Sequence, residues 1–373
     1  MQQQRVNHRR LYSAIVTAAG GVLLLSACGL GGATEDVPPP DARKGNIECA
    51  EKGQLPASGS TAQKNAMQHW MHEYQSACPG VQIRYVPIGS GGGVAQFLRG
   101  ATVLGGSDSA LKPDEIEASR DVCPGSNAVN LPMVGGPIAV GYNVSGVKDL
   151  VLDAPTLARI FDSEITVWND EKIKRLNPGV QLPATPIRTV HRSDDSGTTQ
   201  NLNKYLAEAA PDDWPYPTEK AWQAKGGHSA AGSDGVASDV LNEDGAIGYF
   251  ELSFAKTENL PTVRLDTGAP EPVGPSAETA SAGIAAAEVV GRGKDMTLKF
   301  DYRTKVPGAY PIVLVTYEIV CAKGNQTEVL PALKSFLTYT ASEEGQKDLS
   351  RIHYAPLPDG VAAQVREVVS TLS

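Results

Sequence analysis

The sequence predicts an α/β protein folded as two lobes around mainly parallel sheets. Three observations carry that expectation. Strand-like and helix-like stretches alternate along the chain, a pattern that favours strands joined by helical crossovers. The globular part, roughly 325 of 373 residues, exceeds what one hydrophobic core usually holds. Four short clusters of Gly, Ser and Thr recur between these stretches; three lead into helix-like runs and at least two follow strand-like ones. In open α/β sheets ligands sit beyond the carboxyl ends of strands, where such clusters fall.

The elements follow in order. After Thr61, residues Met67, Trp70, Met71 and Tyr74 recur at helical spacing. Residues 82–88 read as a strand, with Ile83, Tyr85 and Pro87 alternating against Gln82 and Arg84. Residues 111–120 read as a helix. Residues 127–131, 138–143, 187–191 and 312–320 read as strands, the last nearly all apolar and so buried on both faces. Residues 268–295, rich in Ala, Gly, Ser and Pro, predict a large loop plus a helix. Residues 330–351 carry a helical pattern. So do Val361, Val365, Val368, Val369 and Leu372, whose apolar face is read as packing on its own lobe in preference to docking a partner. No internal repeat is found.

The amino-terminal end reads as an export signal. Arg5, Arg9 and Arg10 give a basic start to residues 1–27, and residues 11–25 form an apolar core too short for a comfortable span. The signal ends Leu25-Ser26-Ala27-Cys28, the order of a lipobox, in which Cys28 is lipidated and becomes the new terminus. Residues 28–45, with Pro38-Pro39-Pro40, four glycines and no apolar period, read as a flexible tether. The domain is thus expected on the extracytoplasmic face of the cell membrane, held by its lipid. Loss of the signal removes three Arg and no acid, taking the formal charge from −9 to −12. Such an acidic surface argues against nucleic acid and anionic lipid surfaces as partners. Cys49, Cys78, Cys123 and Cys321 remain. An even count in an exported chain predicts two disulfides, in any of three pairings. The wide spacing, with no Cys-x-x-Cys, does not fit zinc.

The clusters carry the chemistry. Ser58-Gly59-Ser60-Thr61 and Gly89-Ser90-Gly91-Gly92-Gly93 offer hydroxyls and closely approachable backbone N–H groups. Neither is a nucleotide loop, because no Gly-Lys-Ser/Thr follows the glycines. Ser60 or Thr61 could alternatively cap the helix that follows. Arg192-Ser193-Asp194-Asp195-Ser196-Gly197-Thr198-Thr199 is the most specific cluster. Its Arg offers a planar fork of donors, and Ser196, Gly197 and Thr198 add hydroxyls and a helix start. Gly105-Gly106-Ser107-Asp108 contributes a carboxylate, which would repel an anion unless that anion carries a proton. HPO4²⁻ and H2PO4⁻ carry one; sulfate does not at neutral pH. The ordinary reading of Asp108 is a cap for the 111–120 helix. His69 and His72 stand three apart, but no further metal ligand is evident. His191, Asp194 and Ser196 are the residue types of a hydrolase triad, crowded into six positions without a Gly-x-Ser-x-Gly.

These residues, in this order, resemble the substrate-binding lipoprotein of the Pst-type bacterial phosphate ABC importer, over nearly all of the mature chain. Further matching stretches are residues 165–170 (Ile-Thr-Val-Trp-Asn-Asp), 176–179 (Leu-Asn-Pro-Gly), 244–249 (Asp-Gly-Ala-Ile-Gly-Tyr) and 310–312 (Tyr-Pro-Ile). Residues 77–80 and 317–321, which carry Cys78 and Cys321, resemble the actinobacterial branch. The resemblance implies a two-lobed type II periplasmic-binding-protein fold with the ligand cleft between lobes. Lobe I would be 46–142 and 312–373, and lobe II 143–311. It implies phosphate contacts from Thr61, the Ala62 N–H, Ser90, Asp108 as acceptor of the phosphate proton, Arg192, Ser196, Gly197 and Thr198. Asp194 would pair with Arg192 and moderate its charge. Asp195 stands where the family often has Gly, adding negative charge near the site. The pairing implied is Cys49–Cys78 and Cys123–Cys321. The expected role is high-affinity binding of inorganic phosphate, delivered by a monomer to a membrane permease, with no catalysis, cofactor or metal. The alternatives are a secreted phosphatase-like hydrolase and a receptor for another oxyanion such as sulfate or arsenate.

The lipobox yields a first test. Cys28→Ala should move the protein from the membrane fraction to the medium and leave anion binding unchanged; fractionation that finds the variant still on the membrane refutes lipidation at Cys28.

Overall fold

The computed structural model describes residues 47–373. The export signal, Cys28 and the tether lie outside the described residues. In chain order the elements are β1 (Gly53–Gly59), α1 (Lys64–Ala77), β2 (Val81–Pro87), α2 (Ser90–Leu98), β3 (Leu104–Ser107), α3 (Pro113–Ala118) and β4 (Ala128–Asn143). Next come β5 (Val151–Asp153), α4 (Ala154–Phe161), α5 (Glu171–Leu176), β6 (Arg188–Arg192), α6 (Gly197–Ala209), β7 (His228–Ala230), α7 (Gly232–Asn242), β8 (Ala246–Glu251) and α8 (Leu252–Thr257). The chain ends with β9 (Arg264–Asp266), α9 (Ala277–Ile284), β10 (Glu288–Val289), β11 (Leu298–Lys299), β12 (Val313–Cys321), α10 (Leu330–Thr340), α11 (Glu343–Lys347) and α12 (Asp359–Ser370).

Eight strands form one sheet in the order β2-β1-β3-β12-β4-β8-β6-β7. Its flanks are parallel: β1 with β2 and β3, and β6 with β7 and β8. Its centre is antiparallel, because β12 runs against both β3 and β4, and β4 runs against β8. The α/β class stands, but the expectation of separate, mainly parallel sheets needs correcting. The cause is β4, 16 residues long and buried throughout except at Asn143. Its first part pairs with β12 and its last six residues, from Ile138, pair with β8. Pro132, Gly135, Gly136 and Pro137 look like breakers in the sequence and divide this run in two. In the fold the register shifts beside Pro132, between Thr316 and Tyr317 of the partner, so the ladder tolerates it. Immediately after Pro137, Ile138 donates to the Ile312 carbonyl at 2.7 Å.

Helix α1 shows how the pattern becomes packing. Ala66, Met67, Trp70 and Tyr74 are fully buried, with Trp70 four and three residues after the first two and Tyr74 four after Trp70, on one face. Trp70 Nε1 donates to the Gly345 carbonyl at 2.6 Å, and the Tyr74 hydroxyl meets Ser335 at 2.7 Å, so neither buried polar tip is orphaned. The 330–351 pattern is two helices, α10 and α11, then a 3-10 turn at Leu349–Ile352. The break falls at Ser342, whose side chain caps α11 by accepting from the Gly345 N–H. Helix α12 packs on the core through Ala362, Val365 and Val369, as the self-packing reading expects. Helix α9 supplies the helix expected within 268–295.

Two disulfides form, Cys49–Cys78 and Cys123–Cys321, with Cα separations of 5.3 and 5.2 Å. This is the pairing that the family resemblance implies. The second joins the lead-in to β4 to the end of β12 across a sequence separation of 198, against 29 for the first. The loop-entropy difference predicts that removing Cys123–Cys321 costs about 1–2 kcal/mol more than removing Cys49–Cys78. Urea unfolding of the two double Cys→Ser variants checks this; equal losses refute it.

Candidate functional site

The parallel flanks aim several strand ends at one place. Strand β1 ends in the Ser60–Gln63 turn, β2 in Gly89 and the start of α2, and β3 in Asp108. On the other flank β6 ends in Arg192, whose loop starts α6, and β7 leads into α7 at Gly232. All four sequence clusters meet there, and cross-flank hydrogen bonds hold them together.

Asp108 is the hub. It is 3 % exposed. Its Oδ1 accepts from Thr316 Oγ1 of β12 at 2.8 Å, and its Oδ2 accepts from Ser90 Oγ at 3.3 Å and Thr198 Oγ1 at 3.2 Å. Its N–H donates to Ser90 Oγ at 3.1 Å, and its carbonyl accepts from Asn201 Nδ2 at 2.7 Å. Burial raises its carboxyl above the ordinary range, against the pull of the Ser60, Thr316 and Thr198 hydroxyls and the Arg192 charge. The capping reading of Asp108 fails, since α3 begins at Pro113 with Lys112 in the cap position, four residues beyond Asp108.

Arg192 is 2 % exposed. Its Nε donates to Asp194 Oδ1 at 2.8 Å and its Nη2 to Asp194 Oδ2, which leaves Nη1 without a partner among the described residues. Burial alone would raise the Asp194 carboxyl. Its hydrogen bonds and charge pairing with Arg192, helped by the Gly232 N–H at 3.0 Å, outweigh that and hold it below the ordinary range. The Arg192 N–H donates to the Tyr249 hydroxyl at 3.2 Å, and that hydroxyl meets Thr199 Oγ1 at 2.7 Å. Tyr249 in turn stacks on Trp222, so the Arg192 backbone is braced by an aromatic pair.

Ser196 caps α6 by accepting from the Thr199 N–H at 3.2 Å. Gly197 then lies so close to the opposite flank that a Cβ would meet Asp108 Cβ and Ser90 Oγ at 2.7 Å; no other residue fits. The N–H groups of Thr61, Ser90, Gly197 and Thr198 have no acceptor among the described residues. Four unpaired backbone donors, a helix start and one guanidinium group beside a buried carboxyl are the components that an anion site at helix ends requires. The Ala62 N–H is different: it donates to Ser60 Oγ at 3.0 Å, so Ser60 serves the local turn. Asp195 is exposed and turns its carbonyl inward, where it accepts from Gly91 N–H at 2.9 Å.

The fold adds residues that the clusters did not include. Ser233 at the start of α7 is fully buried; its N–H donates to Thr61 Oγ1 at 3.1 Å and its hydroxyl pairs with it at 3.0 Å. The Gly232-Ser233 pair before a helix was the available signal. Thr316 lies inside a buried strand and carries none; Tyr249 ends the 244–249 stretch that matched the family, which did not reveal its contact. The hydrolase constellation does not assemble. His191 stacks on Trp222 at 5.0 Å and 7°, with Nδ1 against the Arg192 carbonyl, while Ser196 Oγ is occupied by its helix.

Comparison with known proteins gives a consistent picture. The model of the PBP superfamily domain matches residues 45–344. "Phosphate-binding protein PstS 3" of Mycobacterium leprae (strain TN) is 42% identical over 333 residues, covering 88% of this chain and 89% of that protein. "Phosphate-binding protein PstS 2" of Mycobacterium tuberculosis (strain ATCC 25618 / H37Rv) is 40% identical over 366 residues, covering 97% and 98%. Among solved structures, a high affinity periplasmic phosphate-binding protein (PfluDING) bound with phosphate aligns with a TM-score of 0.69 at 22% identity, covering 85% of this chain and 93% of that one. A phosphate-binding protein from Stenotrophomonas maltophilia aligns at 0.66 and 18%, covering 84% and 93%. At those identities the two structures speak for the fold.

Proposed function

The chain belongs to the PstS family of phosphate-binding proteins within the PBP superfamily, and we propose from that premise that it binds inorganic phosphate outside the cytoplasmic membrane and delivers it to the permease of an ABC importer. The observation that carries the reading is the convergence on Asp108. Four distant segments place neutral donors, one guanidinium group and one carboxylate around a single point. That set suits a tetrahedral oxyanion that still carries a proton.

The residue roles follow from the donors. The Thr61, Ser90, Gly197 and Thr198 N–H groups and the Ser90, Ser196 and Thr198 hydroxyls donate to phosphate oxygens. The Ser90 and Thr198 bonds to Asp108 are long, so those hydroxyls can turn to the anion at little cost. Arg192 donates through Nη1, with Asp194 fixing its plane and offsetting its charge. Asp108 accepts the phosphate proton. Ala62 contributes its N–H only if Ser60 releases it. The lobes are 46–142 with 312–373, and 143–311; closure sets Thr61 against Ser233 and Lys64 against Asp234 at 2.8 Å. The protein acts as a monomeric binder, not an enzyme, anchored through a lipid on Cys28.

Two measurements test the site. Arg192→Ala removes a charged donor from a desolvated site, a loss on the order of 2–5 kcal/mol, so phosphate affinity by calorimetry should fall at least tenfold; a folded variant of unchanged affinity reassigns the site. Asp108→Asn replaces an acceptor-only group with an amide that can donate. Phosphate should weaken while sulfate gains, so the ratio of their dissociation constants at pH 7.5 should move toward one. An unchanged ratio means that Asp108 does not discriminate. Release of product from a phosphate ester by the wild type would instead favour the hydrolase reading.

A further inference from the structure

Strand β12 places Thr316 and Glu318 on the same face of the sheet, two residues apart. Thr316 reaches Asp108 from that face. Glu318 lies opposite Gly106 of β3 on one side and Leu131 of β4 on the other. Directly opposed residues of an antiparallel pair share a face. The space over Gly106 is filled: a Cβ there would meet Gln63 Nε2 at 2.1 Å and the Tyr85 hydroxyl at 2.6 Å. The Glu318 side chain therefore shares that face with the Gln63 amide.

The hydrogen-bond account does not close with Glu318 ionised. Tyr85 has one hydroxyl proton and gives it to the Ser60 carbonyl at 2.8 Å. Its oxygen can then only accept, and it accepts from Gln63 Nε2 at 3.0 Å. That fixes the orientation of the amide and turns Gln63 Oε1 away from Tyr85. Gln63 Oε1 and both Glu318 oxygens are buried without a donor. A buried carboxylate with no donor is costly to keep ionised. A proton on Glu318 removes that charge.

We propose that Glu318 is protonated in the working protein, which keeps a buried charge away from the Gln63–Tyr85–Ser60 chain that shapes the turn presenting Thr61. Glu318 is then a positioning residue. It touches no ligand, but its neutral form keeps a second negative charge from the space behind Asp108. The proposal rests on the phosphate reading above for its consequence, not for its chemistry. Burial pushes the Glu318 carboxyl up to about 8, with Gln63 pulling it down and the Asp108 charge adding to the rise. The titratable groups that face it are Asp108 beyond β3 and Tyr85 on β2, the latter itself raised by burial and then by Glu318. Strand β4 presents apolar Leu131 and the lead-in to α1 presents neutral Gln63. Arg192 is the cation acting on Asp108, and Glu251 of β8 is a further buried carboxyl near Asp108, also raised to about 8 by burial.

The sign of the effect follows. Below the raised value Glu318 is neutral and the site is intact. Above it a carboxylate forms behind Asp108 and phosphate binding weakens. Calorimetric titration with inorganic phosphate should find wild type and Glu318→Gln within about twofold at pH 6.5, and wild type about tenfold weaker than the variant at pH 9. Parallel pH profiles, or a folded Glu318→Gln that binds at neither pH, overturn the proposal. Carboxyl-carbon NMR of Glu-labelled wild type, without phosphate, should show two Glu carboxyls titrating above pH 7, one of which is absent from Glu318→Gln. A wild type whose Glu carboxyls all titrate below pH 6 overturns it even if the variant fails to fold. A wild type with the two high titrations but no heat with phosphate would leave the Glu318 proton standing and sink the phosphate reading.

Discussion

A carboxylate and a guanidinium group share a site from which water is almost wholly excluded, and the surrounding structure exists largely to make that tolerable. Taking such charges out of water costs several kcal/mol each unless hydrogen bonds replace the lost solvent. Asp108 meets the cost with three hydroxyls, one backbone contact to Ser90 and the field of Arg192. Arg192 meets it with Asp194. These partners come from α2, α6, β12, β6 and the loop after β6. The antiparallel centre of the sheet lets β12 deliver Thr316 beneath Asp108 while the parallel flanks deliver the loops above it. A purely parallel sheet would place every strand's polar end at the rim and leave the floor of the site to apolar residues.

The pairing of Arg192 with Asp194 also bears on how the proposed site would hold an anion on a protein of strongly negative charge. With Asp194 attached, the guanidinium contributes a small net field and its remaining donors. Most of the attraction then comes from neutral dipoles: the N–H groups at the starts of α2 and α6 and the hydroxyls beside them. Dipoles fixed by helices need no reorganisation, and their effect fades within a few ångströms. The surface charge therefore hardly matters to a bound ion, and an exposed carboxylate such as Asp195 is screened by solvent. Asp195 is exposed and meets the start of α2 through its carbonyl.

Much of this was legible in the sequence, for a physical reason. Loops that approach an anion through their backbone must shed side chains, so they are written in Gly, Ser and Thr, and the four clusters stand out. Gly197 is the clearest case, since its neighbour across the cleft leaves no room for a Cβ. Thr316, Glu318 and Tyr249 were hidden because they lie within strands whose apolar pattern reads as core; a polar residue there shows its purpose only when the sheet order is known. The continuity of β4 was hidden for the opposite reason. Pro132 and Pro137 signal breaks locally, and only the register shift against β12 and the change of partner at Ile138 reconcile them with one strand.

That same strand bears on how the site moves. β4 pairs with β12 over one part and with β8 over the next, so the two flanks share a backbone at the point where the partner changes. Glu251, opposite Ile138 at that point, accepts from Ser253, and Ser253 Oγ accepts in turn from Asn65 of α1 at 2.8 Å. Tyr354 donates from the carboxyl-terminal segment to the Ala62 carbonyl in the Thr61 turn. Polar contacts thus run from the shared strand to the turn that presents Thr61. A rotation of one flank about β4 would stretch these bonds and the Thr61–Ser233 pair together, so the contacts that fix the Thr61 turn are also those that closing the cleft must complete. The geometry of the anion site and the closed arrangement of the flanks are therefore one property of the fold, and a residue that holds the turn acts on both.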